Sequence, residues 1–164
     1  SVSFPDSHDG HSGYVIEPLG GRKGLLPLIP ANTSKFTPHV VLLHIGTNDL
    51  NSELEVASAP QRLARVIDAF LIGAPDALLV VAQLIPTRTD SLNDAVETYN
   101  AATAELVAAR VASGKHIVLV DHYSAFQENP KYRDDYLFDG LHPNDAGYAA
   151  MADVWYEAIS RFLR

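Results

Sequence analysis

The chain has 164 residues, 47% hydrophobic and 20% charged, a composition typical of one globular domain rather than a disordered chain. Twelve Lys and Arg against twenty Asp and Glu give a net charge of −8, which disfavours nucleic acid and anionic membranes as partners. The absence of cysteine excludes disulfides, thiolate metal sites and a cysteine nucleophile, and no apolar run approaches the roughly 20 residues of a membrane-spanning helix.

The first predicted regular element follows an irregular opening segment. Frequent Gly and Pro over residues 1–37 predict loops with short helical turns. The continuous apolar run at residues 40–45 is typical of a strand buried on both faces of a sheet. Apolar residues then recur at helical spacing over residues 61–72, and a second apolar run at residues 77–82 predicts another buried strand.

The second half of the chain repeats this alternation. Helical periodicity predicts a long helix over residues 91–112, ended by Gly114. An apolar run at residues 116–121 predicts a third buried strand, and a last helix begins at Pro143 or Asn144. Strands that alternate with helices predict an α/β domain with a parallel sheet.

The predicted sheet is thin for a chain of this length, because a domain of ~160 residues normally carries more than three strands. The first apolar run begins only at residue 40. Either the opening segment hides a strand, or a strand that pairs with residues 40–45 is missing.

The first candidate site residues follow the first predicted strand, in the sequence Gly46-Thr47-Asn48-Asp49. Ligands of parallel α/β sheets bind beyond the carboxyl ends of the strands. The side-chain amide of Asn48 could therefore hydrogen-bond a developing oxyanion there. The alternative interpretation is that residues 47–49 only cap the following turn.

A second candidate is the pair Asp139 and His142, separated by Gly140 and Leu141. A carboxylate three residues before an imidazole can accept from Nδ1–H of the ring, which leaves Nε2 free to act as a general base. The alternative is that both side chains are solvated or cap the entrance to the last helix.

The third candidate is Gly13, whose backbone N–H could be a second oxyanion donor. The opening loop also holds His8, His11, Asp6 and Asp9. We do not favour a metal site there, because no regular structure is predicted to fix the ligands.

Other histidines and aromatic residues have weaker signals. His39, His44 and His116 lie on or beside strands, where structural histidines with satisfied hydrogen bonds are expected. Tyr136 and Phe138 flank the Asp139 segment, where an aromatic ring could form a platform for the apolar face of a sugar. Each is more often a packing residue.

Together, residues 11–14, 46–49 and 139–144 resemble the glycine, asparagine and aspartate–histidine blocks of the SGNH (GDSL-type) hydrolases, and the match extends over essentially the whole chain. Within that superfamily the sequence is most similar to carbohydrate esterase family 3, the acetylxylan esterases. The resemblance implies a three-layer α/β/α fold of the flavodoxin-like type, with residues 1–164 as a single domain.

The resemblance also implies a secreted serine esterase that needs no metal or organic cofactor. It would cleave acetyl or other short acyl esters, on xylan or a related polysaccharide, through an acyl-enzyme. His142 would be the base and Asp139 its orienting partner, while Gly13 and Asn48 would donate to the oxyanion.

One block of the family pattern is missing. The family's Gly-Asp-Ser, which carries the nucleophile, occurs nowhere in this sequence. The nearest imitation, Asp6-Ser7, follows Pro5 and lies six residues from Gly13, too close for the strands that should intervene. We therefore expect an N-terminally incomplete domain whose missing strand-helix-strand comes from the native gene product or a companion fragment. The alternative is that a homodimer, or the chain's own N-terminal segment, covers the exposed strand edge.

Two further hypotheses remain open. The chain could be an inactive SGNH-like module that binds acylated glycans without attacking them. It could also be an esterase that has recruited another nucleophile, such as Ser7, from within these residues.

Overall fold

A computed structural model describes residues 9–163 of the chain. Its centre is a sheet of three parallel strands in the order β1-β2-β3, with bounds β1 Val40–Leu43, β2 Leu78–Ala82 and β3 Ile117–Val120. The three apolar runs predicted as strands are strands, each shorter than predicted by one or two residues. The predicted α/β class is confirmed.

Seven α-helices accompany the sheet within residues 9–163: α1 Ile29–Phe36, α2 Thr47–Asn51, α3 Ala59–Gly73, α4 Asp90–Ala112, α5 His122–Gln127, α6 Tyr132–Asp135 and α7 Asp145–Ser160. The three predicted helices correspond to α3, α4 and α7. The side chain of Asn144 caps α7 by accepting from Gly147 N–H at 3.0 Å, which fixes the predicted start of that helix. The short helices α2, α5 and α6 were not predicted, because four to six residues are too few for an apolar period.

The sheet separates two apolar layers. On one face, Leu79 and Val81 pack with α3 and α4 in a cluster that includes Leu63, Val66 and Val107. On the other face, alternate residues of the same strands pack against α7. Side chains of successive strand residues point to opposite faces, so the run must be apolar throughout to bury both. The predicted three-layer α/β/α arrangement is confirmed.

Strand β1 lies at the edge of this sheet and pairs with β2 alone among residues 9–163. Leu42 in its middle is 48% exposed, which is unusual for a residue in a buried strand. The opening segment from residue 9 forms isolated bridges, Val15 with Gly24 and Leu19 with Arg22, and no strand beside β1. A hidden strand is therefore excluded for residues 9–39.

The carboxyl ends of the strands position the candidate functional residues. Strand β1 leads into α2, β2 into the loop before α4, and β3 into α5, all at one edge of the sheet.

Within residues 9–163, no helix combines the length and apolar character that crossing a membrane requires.

Candidate active site

The turn that carries Asn48 depends on a glycine. Gly46 directly precedes α2 and has a φ of 122°, a conformation that side chains rarely adopt. A Cβ at this position would lie 2.7 Å from the ring of Tyr99. That ring is held in place because Tyr99 Oη donates to the carbonyl of Ile45 at 3.0 Å. Gly46 thus permits both the turn and the close approach of α4.

Asn48 connects two of the predicted segments. Its Nδ2 donates to the carbonyl of Tyr14 at 2.8 Å, across 34 positions of sequence. Tyr14 follows Gly13, which has a φ of 75°. The N–H of Gly13 makes no hydrogen bond with any of residues 9–163. The structure therefore brings the two residues predicted to bind an oxyanion into neighbouring positions.

Beneath Asn48 lies a buried ion pair that the sequence analysis missed. Asp49 is fully buried, and its carboxylate accepts from Arg62 Nη2 at 3.0 Å and from Ile16 N–H at 3.0 Å. Burial raises the pKa of Asp49, while Arg62 and Ile16 N–H act in the opposite direction. Arg62 also donates to the carbonyl of Leu54 at 2.9 Å. This cluster fixes the segment after Gly13 against α2.

Asp139 and His142 form the hydrogen bond that their spacing allows. His142 Nδ1 lies 2.8 Å from Asp139 Oδ2. Asp139 Oδ1 accepts from His142 N–H at 2.9 Å and from Leu141 N–H at 3.0 Å, and these bonds hold the pKa of Asp139 well below its usual range. A ring that donates from Nδ1 has Nε2 as its acceptor. The His142 side chain is 65% exposed, so a substrate can reach it.

The Asp139–His142 loop is a small hairpin at the carboxyl edge of the sheet. Leu137 and Pro143 form an antiparallel bridge, and Phe138 N–H donates to the carbonyl of His142 at 2.8 Å. Arg88, in the loop that follows β2, donates its N–H to the carbonyl of Gly140 at 2.9 Å. The loop is therefore attached to the same edge to which β1 delivers Asn48.

The two predicted aromatic platforms differ in accessibility. Phe138 is 76% exposed and lines an open depression of about 420 Å³ with the residues that begin α7. Tyr136 is half-buried and packs edge-on against Phe126, with ring centroids 5.2 Å apart. Phe138 can meet a ligand, whereas Tyr136 mainly packs.

Two histidines, buried His122 and half-buried His44, have ring nitrogens that lie buried without a hydrogen-bond partner in the described part of the chain. Neither ring nitrogen of His122 has a partner among residues 9–163, nor has Nε2 of His44. Their rings lie 6.1 Å apart, and that of His122 packs edge-on against Trp155 at 4.7 Å. Burial lowers the pKa of each histidine to about 4, so both are neutral at pH 7. The expectation that His44 has satisfied hydrogen bonds is wrong for its Nε2, which is buried without a partner among residues 9–163.

The remaining candidates lie in the opening segment. Ser7, Asp6 and His8 are outside the described residues. His11 Nε2 lies 2.9 Å from Asp9 Oδ1. Residues 9–163 contain no group of three or more His, Asp or Glu side chains that could hold a metal ion.

The chain is similar to several known proteins. Residues 4–150 match the GDSL-like Lipase/Acylhydrolase family. A "Multidomain esterase" of Ruminococcus flavefaciens is 30% identical over 177 residues, which cover 100% of this chain but 22% of that protein. The chain thus spans about a fifth of this relative's length.

Solved structures agree. The Clostridium thermocellum family 3 carbohydrate esterase is 28% identical with a TM-score of 0.77, over 96% of this chain and 70% of that one. A carbohydrate esterase family 3 structure from Talaromyces cellulolyticus has the same fold, with a TM-score of 0.77 at 22% identity over 97% of this chain and 72% of that one. The resemblance inferred from the three sequence blocks is confirmed.

Proposed function

Because the chain belongs to the GDSL-like lipase/acylhydrolase family, we propose that it carries the base and the oxyanion donors of a serine esterase that cleaves short acyl esters. The observation that carries this proposal is the Asp139–His142 hydrogen bond of 2.8 Å, on a loop attached to the sheet edge that also bears Asn48. An exposed imidazole with an acceptor Nε2 is the form that a general base requires.

The proposed reaction has two steps. His142 Nε2 takes the proton of a serine hydroxyl as the serine oxygen attacks the ester carbonyl, and then returns that proton to the leaving alcohol. The carboxylate of Asp139 stabilises the imidazolium in between. Gly13 N–H and the amide of Asn48 donate to the oxyanion. Water, activated by the same imidazole, then releases the acid and the free serine.

We infer that the ester is borne by a carbohydrate, with acetyl groups on xylan or a related polysaccharide as the first candidates. Two observations support this substrate: the similarity to carbohydrate esterases, and the exposed ring of Phe138, whose main-chain N–H donates to the carbonyl of His142. An aromatic face is suited to the apolar face of a pyranose. An enzyme that acts on such a polymer works outside the cell, so we propose secretion.

We propose that the nucleophilic serine lies on a further strand that pairs with β1. Residues 1–164 would then form a single SGNH hydrolase domain that is incomplete without that strand. The support is that β1 pairs only with β2 among residues 9–163 and that Leu42 is half exposed, which leaves main-chain groups and apolar surface for a neighbour. A companion N-terminal segment would cover this edge, with a second copy of the chain as the alternative.

A second function is favoured by one observation, the lack of Gly-Asp-Ser in the 164 residues. Without a nucleophile, the same donors would hold an acylated glycan without cleaving it. Such a module would bind acetylated xylo-oligosaccharides and release no acetate.

The test is hydrolysis of p-nitrophenyl acetate and acetylated xylan by the purified chain, with His142→Ala and the matched control His116→Ala. His116 is exposed at the opposite end of β3. We expect any turnover to vanish in His142→Ala and to persist in His116→Ala. Turnover that survives His142→Ala would overturn the assignment of the base.

If the chain alone is inactive, adding the segment found at the mature N-terminus of the natural protein should restore turnover. Failure to restore it, together with binding of acetylated xylo-oligosaccharides, would favour the inactive module. Turnover abolished by Ser7→Ala would identify a recruited nucleophile instead.

A further inference from the structure

Arg88 makes three hydrogen bonds to the segment that presents Asp139 and His142. Its main-chain N–H donates to the carbonyl of Gly140 at 2.9 Å. Its guanidinium donates to the carbonyl of Leu137 at 3.0 Å and, through Nε, to that of Arg133 at 2.7 Å. All three acceptors are main-chain carbonyls: those of Arg133 and Leu137 precede Asp139, and that of Gly140 lies between Asp139 and His142.

The stem of Arg88 also contacts the turn of this loop. Gly140 has a φ of 99°, and a Cβ added there would lie 3.3 Å from Cβ and Cδ of Arg88. The turn between Asp139 and His142 therefore rests directly on the aliphatic part of the arginine. An arginine supplies both the apolar stem and a planar set of donors, which one lysine ammonium cannot reproduce.

The main chain that precedes Arg88 is itself fixed by hydrogen bonds to buried residues. The preceding residue, Thr87, is buried, and its N–H donates to Asn93 Oδ1 at 2.7 Å while Asn93 Nδ2 donates back to its carbonyl at 3.0 Å. Asn93 is buried on α4. The carbonyl of Thr87 also accepts from Tyr132 Oη at 3.2 Å. A continuous set of hydrogen bonds thus leads from α4 through Arg88 to the exposed loop.

We propose that Arg88 is a positioning residue for the proposed hydrolysis, an inference that rests on the function proposed above. It fixes the main chain on both sides of Asp139, so that the carboxylate stays within hydrogen-bond distance of His142 Nδ1. The ring is then held in the tautomer that has Nε2 as acceptor. Without the Arg88 guanidinium the exposed hairpin keeps its internal hydrogen bonds and the one from the Arg88 N–H, but the contact between Asp139 and the ring is weakened.

The test is the tautomer of His142 in the purified chain, read from its ring nitrogen resonances by NMR at a pH where the ring is neutral. We expect predominantly the Nδ1–H form in the wild-type chain. Arg88→Met keeps the stem but removes the side-chain donors, and we expect the Nε2–H form to predominate in it. Arg88→Lys restores one donor and should give an intermediate population.

Arg65→Met is the matched control, because Arg65 is an exposed arginine of α3 that pairs with Glu17. It should leave the His142 signals unchanged. An amide spectrum of each variant verifies the fold. A wild-type tautomer in folded Arg88→Met, or an Nε2–H ring in the wild-type chain itself, would overturn the proposal.

This readout does not depend on ester hydrolysis. If the chain cleaves no ester but Arg88→Met still changes the tautomer, the proposed function fails while the positioning by Arg88 stands. If hydrolysis requires His142 but the tautomer is insensitive to Arg88, the proposed function stands and this inference fails.

Discussion

Two pairs in this protein each join an aspartate to a basic side chain, but one pair is buried and the other is exposed. Asp49 pairs with Arg62 at 3.0 Å, and Asp139 pairs with His142 at 2.8 Å; each carboxylate also accepts from main-chain N–H. The first pair has side-chain exposures of 0% and 5%, the second 46% and 65%.

This difference in exposure indicates that the first pair has a structural role and the second a role in the proposed reaction. Burial raises the pKa of Asp49, so the interior disfavours its charge, and the carboxylate depends on Arg62 to remain ionised. Hydrogen bonds lower the pKa of Asp139, so its charge costs little and remains available to His142. The first pair should therefore govern stability, and the second the proposed catalysis.

The largest expected effect on stability is that of Asp49→Asn. The substitution leaves the charge of Arg62 buried without a counter-ion, which costs about 3–5 kcal/mol of unfolding free energy. Urea unfolding measures the change. The control is Asp68→Asn, because Asp68 is 53% exposed and pairs with Arg110 near the surface, where less than about 1 kcal/mol is expected. Equal losses of unfolding free energy in the two variants would contradict the distinction between a buried and an exposed ion pair.

Next in size is the effect of acid on each of two histidines, His44 and His122. Both have a pKa of about 4 in the folded chain and about 6.5 when unfolded, so the unfolded chain binds more protons between these values. The contribution of the two neutral rings to the unfolding free energy should be fully present above pH 6.5. It should fall as the pH drops to 4, by at most about 3 kcal/mol for each ring.

Replacing one ring isolates this contribution. His122→Leu should flatten the dependence of the unfolding free energy on pH between 6.5 and 4, because one of the two titrating groups is gone. His116→Leu, at an exposed position, should retain the wild-type slope. An unchanged slope in His122→Leu would show that the buried rings do not govern acid stability.

The smallest effect on stability is expected for Asp139→Asn. This substitution makes the same chemical change as Asp49→Asn, but at an exposed position, so the urea midpoint should stay near that of the wild-type chain. In an assembly that has the proposed esterase activity, turnover should fall by roughly 10⁴-fold, as when a triad carboxylate becomes an amide. A large loss of stability with unchanged turnover in Asp139→Asn would show that this pair is structural and would contradict its assignment to the proposed catalysis.

The strands could be predicted from the sequence because burial on both faces requires an uninterrupted apolar run, as at residues 77–82. The helix bounds followed from periodicity and caps, and Asn144 caps α7 as its sequence position indicates. The Asp139–His142 hydrogen bond was also predictable, because its partners are three residues apart and meet within one turn.

Other features depend on contacts between distant parts of the chain. The pairing of Asp49 with Arg62, the approach of His44 to His122 and the bonds from Arg88 to Leu137 join residues 13 to 78 positions apart. No local pattern encodes which helix will face which loop, so nothing in the sequence distinguished Asp49 from a turn cap or Arg88 from a solvated arginine.

By itself, the sequence determined the α/β alternation, the apolar strands and the local geometry of the Asp139–His142 turn, because each depends on residues that are neighbours along the chain. Only the tertiary structure decided that Asn48 bonds to Tyr14, that Arg62 neutralises Asp49 and that Arg88 supports the hairpin. Those contacts exist only after the helices pack on the sheet and bring distant donors and acceptors within hydrogen-bond distance.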